Sequence, residues 1–131
     1  MRLLLDTNAW LWMTLRSELL GVRARQLLAD EKNELYLSVV SAWEVVIKAR
    51  LGKLEVVGEP DDFIRTCLKK QRIFSLETRL NHVLAVANLS MEHRDPFDRL
   101  LVAQAYVEKL PLMSGDERLR SYPISFIDAR K

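Results

Sequence analysis

The sequence predicts an α/β fold built on a central, mainly parallel sheet, and three observations predict it. Short continuous apolar runs, such as "RLLL" at 2–5, recur along the chain at strand length. Stretches of helical period separate these runs. Gly and Pro number four each and fall mostly between periodic segments, and no linker, repeat or low-complexity tract divides the 131 residues. The chain, 1–131, therefore reads as one domain of alternating strands and helices, joined by right-handed crossovers.

Residues 2–5 form the first strand, apolar enough to be buried on both faces. Residues 8–15 and 22–30 read as helices, with Gly21 between them. "LYLS" at 35–38 is the second strand. "SAWEVVIKARL" at 41–51 is an amphipathic helix with Trp43, Ile47 and Leu51 near one stripe, and Gly52 stops it. Pro60, Asp61 and Asp62 are good first-turn residues for a helix over 60–70. "RIFSL" at 72–76 is the third strand, and 78–90 is helical. "PFDRLLVAQAYVEK" at 96–109 is the strongest helical segment. "PLMS" at 111–114 and "ISFID" at 124–128 supply two last strands around a short helix near 116–121.

Composition excludes some classes of function. Hydrophobic residues make up 49% and charged ones 29%, as in a globular protein with a real core. With 20 basic and 18 acidic residues the net charge is +2, unlike a histone-like binder, although a local basic patch would suffice for nucleic acid. The lone cysteine, Cys67, cannot form an internal disulfide, so a reducing cytoplasm is the expected setting. No tripartite leader opens the chain and no apolar run reaches membrane-spanning length; neither export nor membrane insertion is expected.

The stretch "LLLDTNAWLW" carries the chemical question. An aspartate at the tip of a buried strand is costly unless something there favours negative charge. Three more carboxylates stand just after a strand or at the start of a helix: Glu44, Asp98 (with Asp95 nearby) and Asp116. Each has an ordinary structural account. Ser41 and Glu44 would form a capping box, as would Ser114 and Glu117, with Asp116 beside it. Glu44 also stands four residues before Lys48, a favourable helical pair. In "DPFD", Asp95 would cap, Pro96 suits the first helical position and Asp98 suits the helix dipole. Asp6 has no capping box around it. Taken together, all four are expected where strands hand over to helices, the edge at which open α/β sheets bind ligands. Carboxylates converging there repel one another unless a cation sits among them. Oxygen donors without a histidine or cysteine cluster point to Mg²⁺ or Mn²⁺, and such a site suits phosphodiester hydrolysis.

"LLLDTNAWLW", "SVVSAWEVVIKARLGKL", "HRDPFDRLLVAQA" and "LPLMSGDERLRSYPI" resemble, in order, the successive motifs of PIN-domain ribonucleases, and more narrowly those of VapC-type toxins of toxin–antitoxin pairs. The resemblance covers nearly the whole chain. It implies a five-stranded parallel sheet flanked by helices, commonly dimeric. It places Asp6, Glu44, Asp98 and Asp116 in an acidic catalytic quartet, with Asp6, Asp98 and Asp116 as metal-holding positions. Thr7, Asn8 and Ser114 fall at the small polar positions that orient the quartet. The implied activity is Mg²⁺- or Mn²⁺-dependent endonucleolytic cleavage of RNA, silenced by a cognate antitoxin.

Other residues carry competing readings. His82 and His93 are the only histidines. His93 could support the site, although a loop histidine bonded to backbone is the simpler account. Trp10, Trp12 and Trp43 could stack on bases, but their apolar segments favour core or interface packing. Trp10 and Trp12 lie two apart, so one helix cannot turn both squarely inward; with Leu11 and Leu15 they would leave apolar surface for a homodimer to cover. Lys48, Arg50 and Lys53, and then Lys69, Lys70 and Arg72, read as solvated helix faces. Arg99, next to the expected site, is the charge expected to face RNA. Two other classes share this scaffold: a receiver-like Mg²⁺-binding signalling domain and a non-catalytic binding module. A receiver usually has adjacent acidic residues after the first strand, where this chain has Asp6 followed by Thr7 and Asn8, and the intact quartet argues against a bare binding module.

Overall fold

The computed structural model describes residues 1–90 and 95–131. Five strands, β1 (Arg2–Leu5), β2 (Glu34–Ser38), β3 (Phe74–Leu76), β4 (Leu112–Ser114) and β5 (Phe126–Asp128), form one sheet in the order β3-β2-β1-β4-β5. Every pairing is parallel, with Leu4 opposite Tyr36 on one side and Leu112 on the other. The sheet is thus wholly parallel, as the unbroken apolar strands require. Among the described residues six α-helices flank it: α1 (Thr7–Leu15), α2 (Val22–Ala29), α3 (Val39–Arg50), α4 (Pro60–Gln71), α5 (Leu80–Ala85) and α6 (Pro96–Glu108).

The period of two in β1 divides its side chains between two cores. Leu3 and Leu5 pack with Leu35, Leu37, Val45, Phe63 and Ile64, on the side of α1 to α4. Leu4 packs with Val102, Ala103, Leu110 and Leu112, on the side of α6. All three leucines are fully buried, so truncating any one to Ala should cost about 2–5 kcal/mol.

The strand order is informative about function. The chain builds β1, β2 and β3 outward in one direction, then crosses to the other side of β1 to lay down β4 and β5. The direction reverses between β1 and β4, and such a reversal opens a crevice at the strand ends. A receiver-like domain has the order 2-1-3-4-5, so this sheet is not that of a signalling receiver.

Several boundaries differ from the sequence reading for local reasons. The helix expected from Ser41 starts at Val39, because Ser38 is its N-cap and accepts the Val40 N–H at 3.0 Å. The proposed Ser41–Glu44 capping box therefore does not form. The helix expected over 78–90 is the short α5 followed by a 3-10 turn at Val86–Asn88. The expected short helix near 116–121 is a 3-10 turn, Glu117–Ser121, capped by Asp116 rather than Ser114. Strands β3, β4 and β5 each begin one or two residues later than read. Gly52 does end α3: it adopts φ 74°, a conformation that suits glycine.

Of the two packing roles expected for Trp10, core or interface, it takes the core. It is fully buried, stacks edge-on against Phe63 at 6.0 Å between ring centroids, and donates its indole N–H to Gln71 at 2.9 Å. It belongs to this chain's own core and offers nothing to a second copy.

Candidate active site

The reversal point between β1 and β4 is built around Asp6. Its backbone N–H continues the sheet by donating to the Met113 carbonyl at 2.9 Å. Its carboxylate then caps α1, accepting from the Asn8 N–H at 2.6 Å and the Ala9 N–H at 3.4 Å. The second carboxylate oxygen accepts from the Ser114 hydroxyl at the end of β4, and Ser114 in turn accepts the Asp116 N–H at 2.9 Å. One short path therefore ties the ends of the two strands at the reversal point. Asp6 is 4% exposed, and burial pushes its carboxyl above the usual aspartate range. The Glu44 charge pushes the same way, while the Ser114, Asn8 and Ala9 hydrogen bonds pull it down.

Thr7 and Asn8 play different parts. Thr7 is buried and its hydroxyl donates to Ser41 at 2.9 Å, fixing α1 against α3. Asn8 gives Asp6 its backbone N–H and leaves its side chain exposed. The early start of α3 puts Glu44 in the second turn, where it pairs with Lys48 at 3.0 Å. That pair is the one the four-residue spacing predicts.

Asp95 and Asp98 divide as the helix start dictates. Asp95 is the N-cap of α6, accepting from the Phe97 N–H at 2.9 Å and the Asp98 N–H at 3.4 Å. Pro96 follows at the first helical position, and Asp98 is the third residue of the helix, half-buried. Asp116 is clasped by Arg118: Nε meets one carboxylate oxygen at 3.0 Å and Nη2 the other at 2.9 Å. This pairing holds the Arg118 guanidinium above its ordinary pKa, and the more distant charges of Asp98 and Asp95 act in the same direction. Asp116, Asp98 and Asp95 thus share one electrostatic neighbourhood.

The donor set, all carboxylate oxygen, has the chemistry of a hard divalent cation. Among the described residues, no three histidine, cysteine or carboxylate side chains converge closely enough to hold an ion as they stand. Arg118 on Asp116 and Lys48 on Glu44 supply positive charge instead. Binding an ion there requires these cations to yield and the carboxylates to close in.

The model of the PIN-domain family matches residues 3–124. The chain belongs to the PIN-domain family. Among solved structures, the PIN fold here superposes on VapBC2 of Rickettsia felis, bound to a fragment of promoter DNA, with a TM-score of 0.74, 15% identity and 98% of each chain covered. VapBC-1 of nontypeable Haemophilus influenzae matches with a TM-score of 0.68, 19% identity and all of both chains. A toxin–antitoxin complex from Klebsiella pneumoniae matches with a TM-score of 0.62, 14% identity and 97% of each chain. At these identities the likeness is one of fold. A search of curated proteins returned no match.

Within this PIN domain some polar residues near the strand ends escaped the sequence reading. Ser38 donates to Gln104 at 2.6 Å, and Gln104, fully buried in α6, donates to the Glu77 carbonyl at 3.3 Å. Gln104 thereby ties the ends of β2 and β3 to the helix that carries Asp98. A glutamine in "LLVAQA" was the available signal, since a polar residue in an apolar helical stripe must find partners. Arg99, expected to face RNA, turns inward: its Nη2 donates to the Val86 carbonyl at 3.4 Å, and its Nε is buried. The arginines that do line an open cavity beside the site are Arg118 and Arg130, which sequence spacing alone did not connect to it. His82 is buried in α5's cap, accepting the Arg79 N–H and facing Glu108 at 2.7 Å, so it is structural. His93 lies outside the described residues.

Proposed function

We propose that this PIN domain is a Mg²⁺- or Mn²⁺-dependent endoribonuclease, acting as a VapC-type toxin that a cognate antitoxin silences. The observation that carries this reading is the Asp6–Ser114 bond at the β1/β4 reversal, which fixes a buried carboxylate where α/β sheets bind ligands. The likeness in fold to a toxin–antitoxin complex and to two VapBC assemblies supports the biological setting. In this reading the whole chain, 1–131, is one nuclease domain working in the cytoplasm. Among the described residues no helix is long and apolar enough to cross a membrane.

Asp6, Asp98 and Asp116 would hold the metal, and Glu44 completes the quartet. A bound divalent ion supplies charge neutralisation at the phosphate and a more acidic water. The chain's own residues supply the frame. Ser114 and the α1 N–H groups keep Asp6 oriented and favour its charged form against burial. Thr7 and Ser41 hold the helices that carry Asp6 and Glu44 in register. Hydrolysis would break one phosphodiester bond of the RNA by attack of water at phosphorus. Arg99 would meet RNA only by releasing the Val86 carbonyl.

The assembly proposed is a homodimer. Its apolar surface comes not from Trp10 but from α5, where Leu80 is 73%, Val83 49% and Leu84 61% exposed. The deciding experiment for the activity is cleavage of RNA by antitoxin-free protein with Mn²⁺, Mg²⁺ or excess EDTA. Cleavage with metal and none in EDTA is expected; equal cleavage in EDTA would refute the mechanism.

A further inference from the structure

Beside Asp116 lies an open cavity of about 380 Å³, lined by Asn8, Trp12, Gly115, Asp116, Glu117, Arg118 and Arg130. Its acidic residues are already matched by arginines: Asp116 by Arg118 and Glu117 by Arg120. Arg130 is different. Among the described residues its guanidinium has no carboxylate partner and rests over the Trp12 ring, 5.7 Å from the centroid.

The placement of Arg130 is built rather than incidental. Its own N–H donates to the Asp128 carboxylate at 2.8 Å. On either side, the Ala129 carbonyl accepts from Gly21 at 2.9 Å and the Lys131 carbonyl from Arg23 at 2.8 Å. Gly21 permits this approach, since a Cβ there would come within 2.3 Å of the Lys131 backbone. Trp12 is likewise held, because a Cβ on Gly115 would meet its ring at 2.3 Å. A held aromatic face therefore carries, from an anchored backbone, a cation without a carboxylate partner among the described residues, in a cavity that Asp116 also lines.

We infer that this cavity is a subsite for the RNA strand, in which Arg130, seated on Trp12, binds a backbone phosphate flanking the one to be cleaved. The inference rests on the nuclease reading above and names the next contact outward from the carboxylates. The chemistry is that of single-strand binding, in which an arginine pairs with phosphate and an aromatic ring holds the stack. A peptide segment of a protein partner could also enter this cavity. RNA is favoured because the cavity shares Asp116 with the quartet and its extra charge is positive.

The test uses the full chain, free of antitoxin, and a short fluorescein-labelled single-stranded RNA of mixed sequence. Affinity is measured in excess EDTA across a range of salt concentrations, and cleavage is measured separately with Mn²⁺. Arg130→Ala should bind roughly fivefold more weakly at about 0.1 M salt, with the logarithmic salt slope less steep by about 0.7, as expected for one cation on a single strand. Its KM should rise while kcat stays. Arg130→Lys should keep the salt slope, and Lys32→Ala, which removes an exposed charge before β2 at the opposite sheet edge, should keep affinity. The inference is overturned if Arg130→Ala binds RNA like the wild type, as it would if the cavity served a protein partner. It is also overturned if Lys32→Ala loses as much as Arg130→Ala. A wild-type chain that cleaves RNA while Arg130→Ala is unchanged sinks this subsite alone; one that neither binds nor cleaves RNA sinks the nuclease reading with it.

Discussion

The guanidinium of Arg118 closes on both carboxylate oxygens of Asp116, at 3.0 and 2.9 Å, and so holds the donor atoms that a metal ion would need. The pair is solvent-exposed on the arginine side, where ion pairs are weak. It is therefore a competitor that a divalent cation can displace. Arg118→Ala should bind Mn²⁺ roughly twofold to fivefold more tightly than the wild type, since one weak competing contact is removed. Titration calorimetry with Mn²⁺ alone reads this directly. Weaker binding in the variant would show that Arg118 supports the site instead of competing for it.

Asp6 should show its cost as a function of pH. Burial raises its carboxyl above the ordinary value of 3.8, so the folded chain holds that proton more tightly than the unfolded one. Its contribution to stability therefore falls as pH rises from near 3.8 through the raised value, and stays low above it. Asn can still cap α1, and Ser114 can accept from its amide while also accepting from Asp116. Asp6→Asn should thus melt higher than the wild type without metal, by on the order of a few degrees. The gap should widen as pH rises and then level off. The same variant should lose metal-dependent cleavage. Melting curves in EDTA from acid to neutral pH are the check, and a lower melting temperature for the variant at neutral pH would contradict the account.

The homodimer should depend on α5. Leu80, Val83 and Leu84 put three large apolar side chains into solvent from one short helix, while Trp10 contributes none. Light scattering at micromolar concentration should give twice the chain mass for the wild type, and the monomer mass for Val83→Glu with Leu84→Glu. A wild-type monomer, with no antitoxin present, removes the dimer from the proposal.

The sheet was legible in the sequence because a parallel strand buried on both faces must be apolar throughout, and "RLLL" and "LYLS" could hardly be anything else. The start of α3 was not legible. Ser38 and Ser41 are both competent caps, and the choice between them was made by tertiary contacts: Ser41 is needed by Thr7, and Ser38 by Gln104. Asp6, Asp98 and Asp116 were legible as carboxylates at strand ends and helix starts, but the network around them was not. Ser114 looked like a helix cap and instead donates from the end of β4 to Asp6, 108 residues away in sequence. Arg130 was invisible, because its place depends on backbone pairing to Gly21 and Arg23 that no spacing rule encodes.

The two aspartates of "DPFD" should separate cleanly in function. Asp95 spends its carboxylate on the Phe97 and Asp98 N–H groups as the cap of α6, with Pro96 fixing the turn behind it. Asn caps a helix nearly as well as Asp, so Asp95→Asn should keep its fold and most of its cleavage. Asp95→Ala should lose the cap and about 1 kcal/mol of stability. Asp98 stands in the first turn, and helical side chains lean toward the N-terminus, which is the geometry expected to aim its carboxylate back at the strand ends. The Asp98 charge also reaches Arg118, which ties it to the Asp116 side of the site. Asp98→Asn should therefore fold, melt near the wild type and lose Mn²⁺-dependent cleavage. Circular dichroism melts and an RNA cleavage assay on the two Asn variants decide the matter. An inactive Asp95→Asn beside an active Asp98→Asn would mean that the cap and the metal-site residue are the other way round.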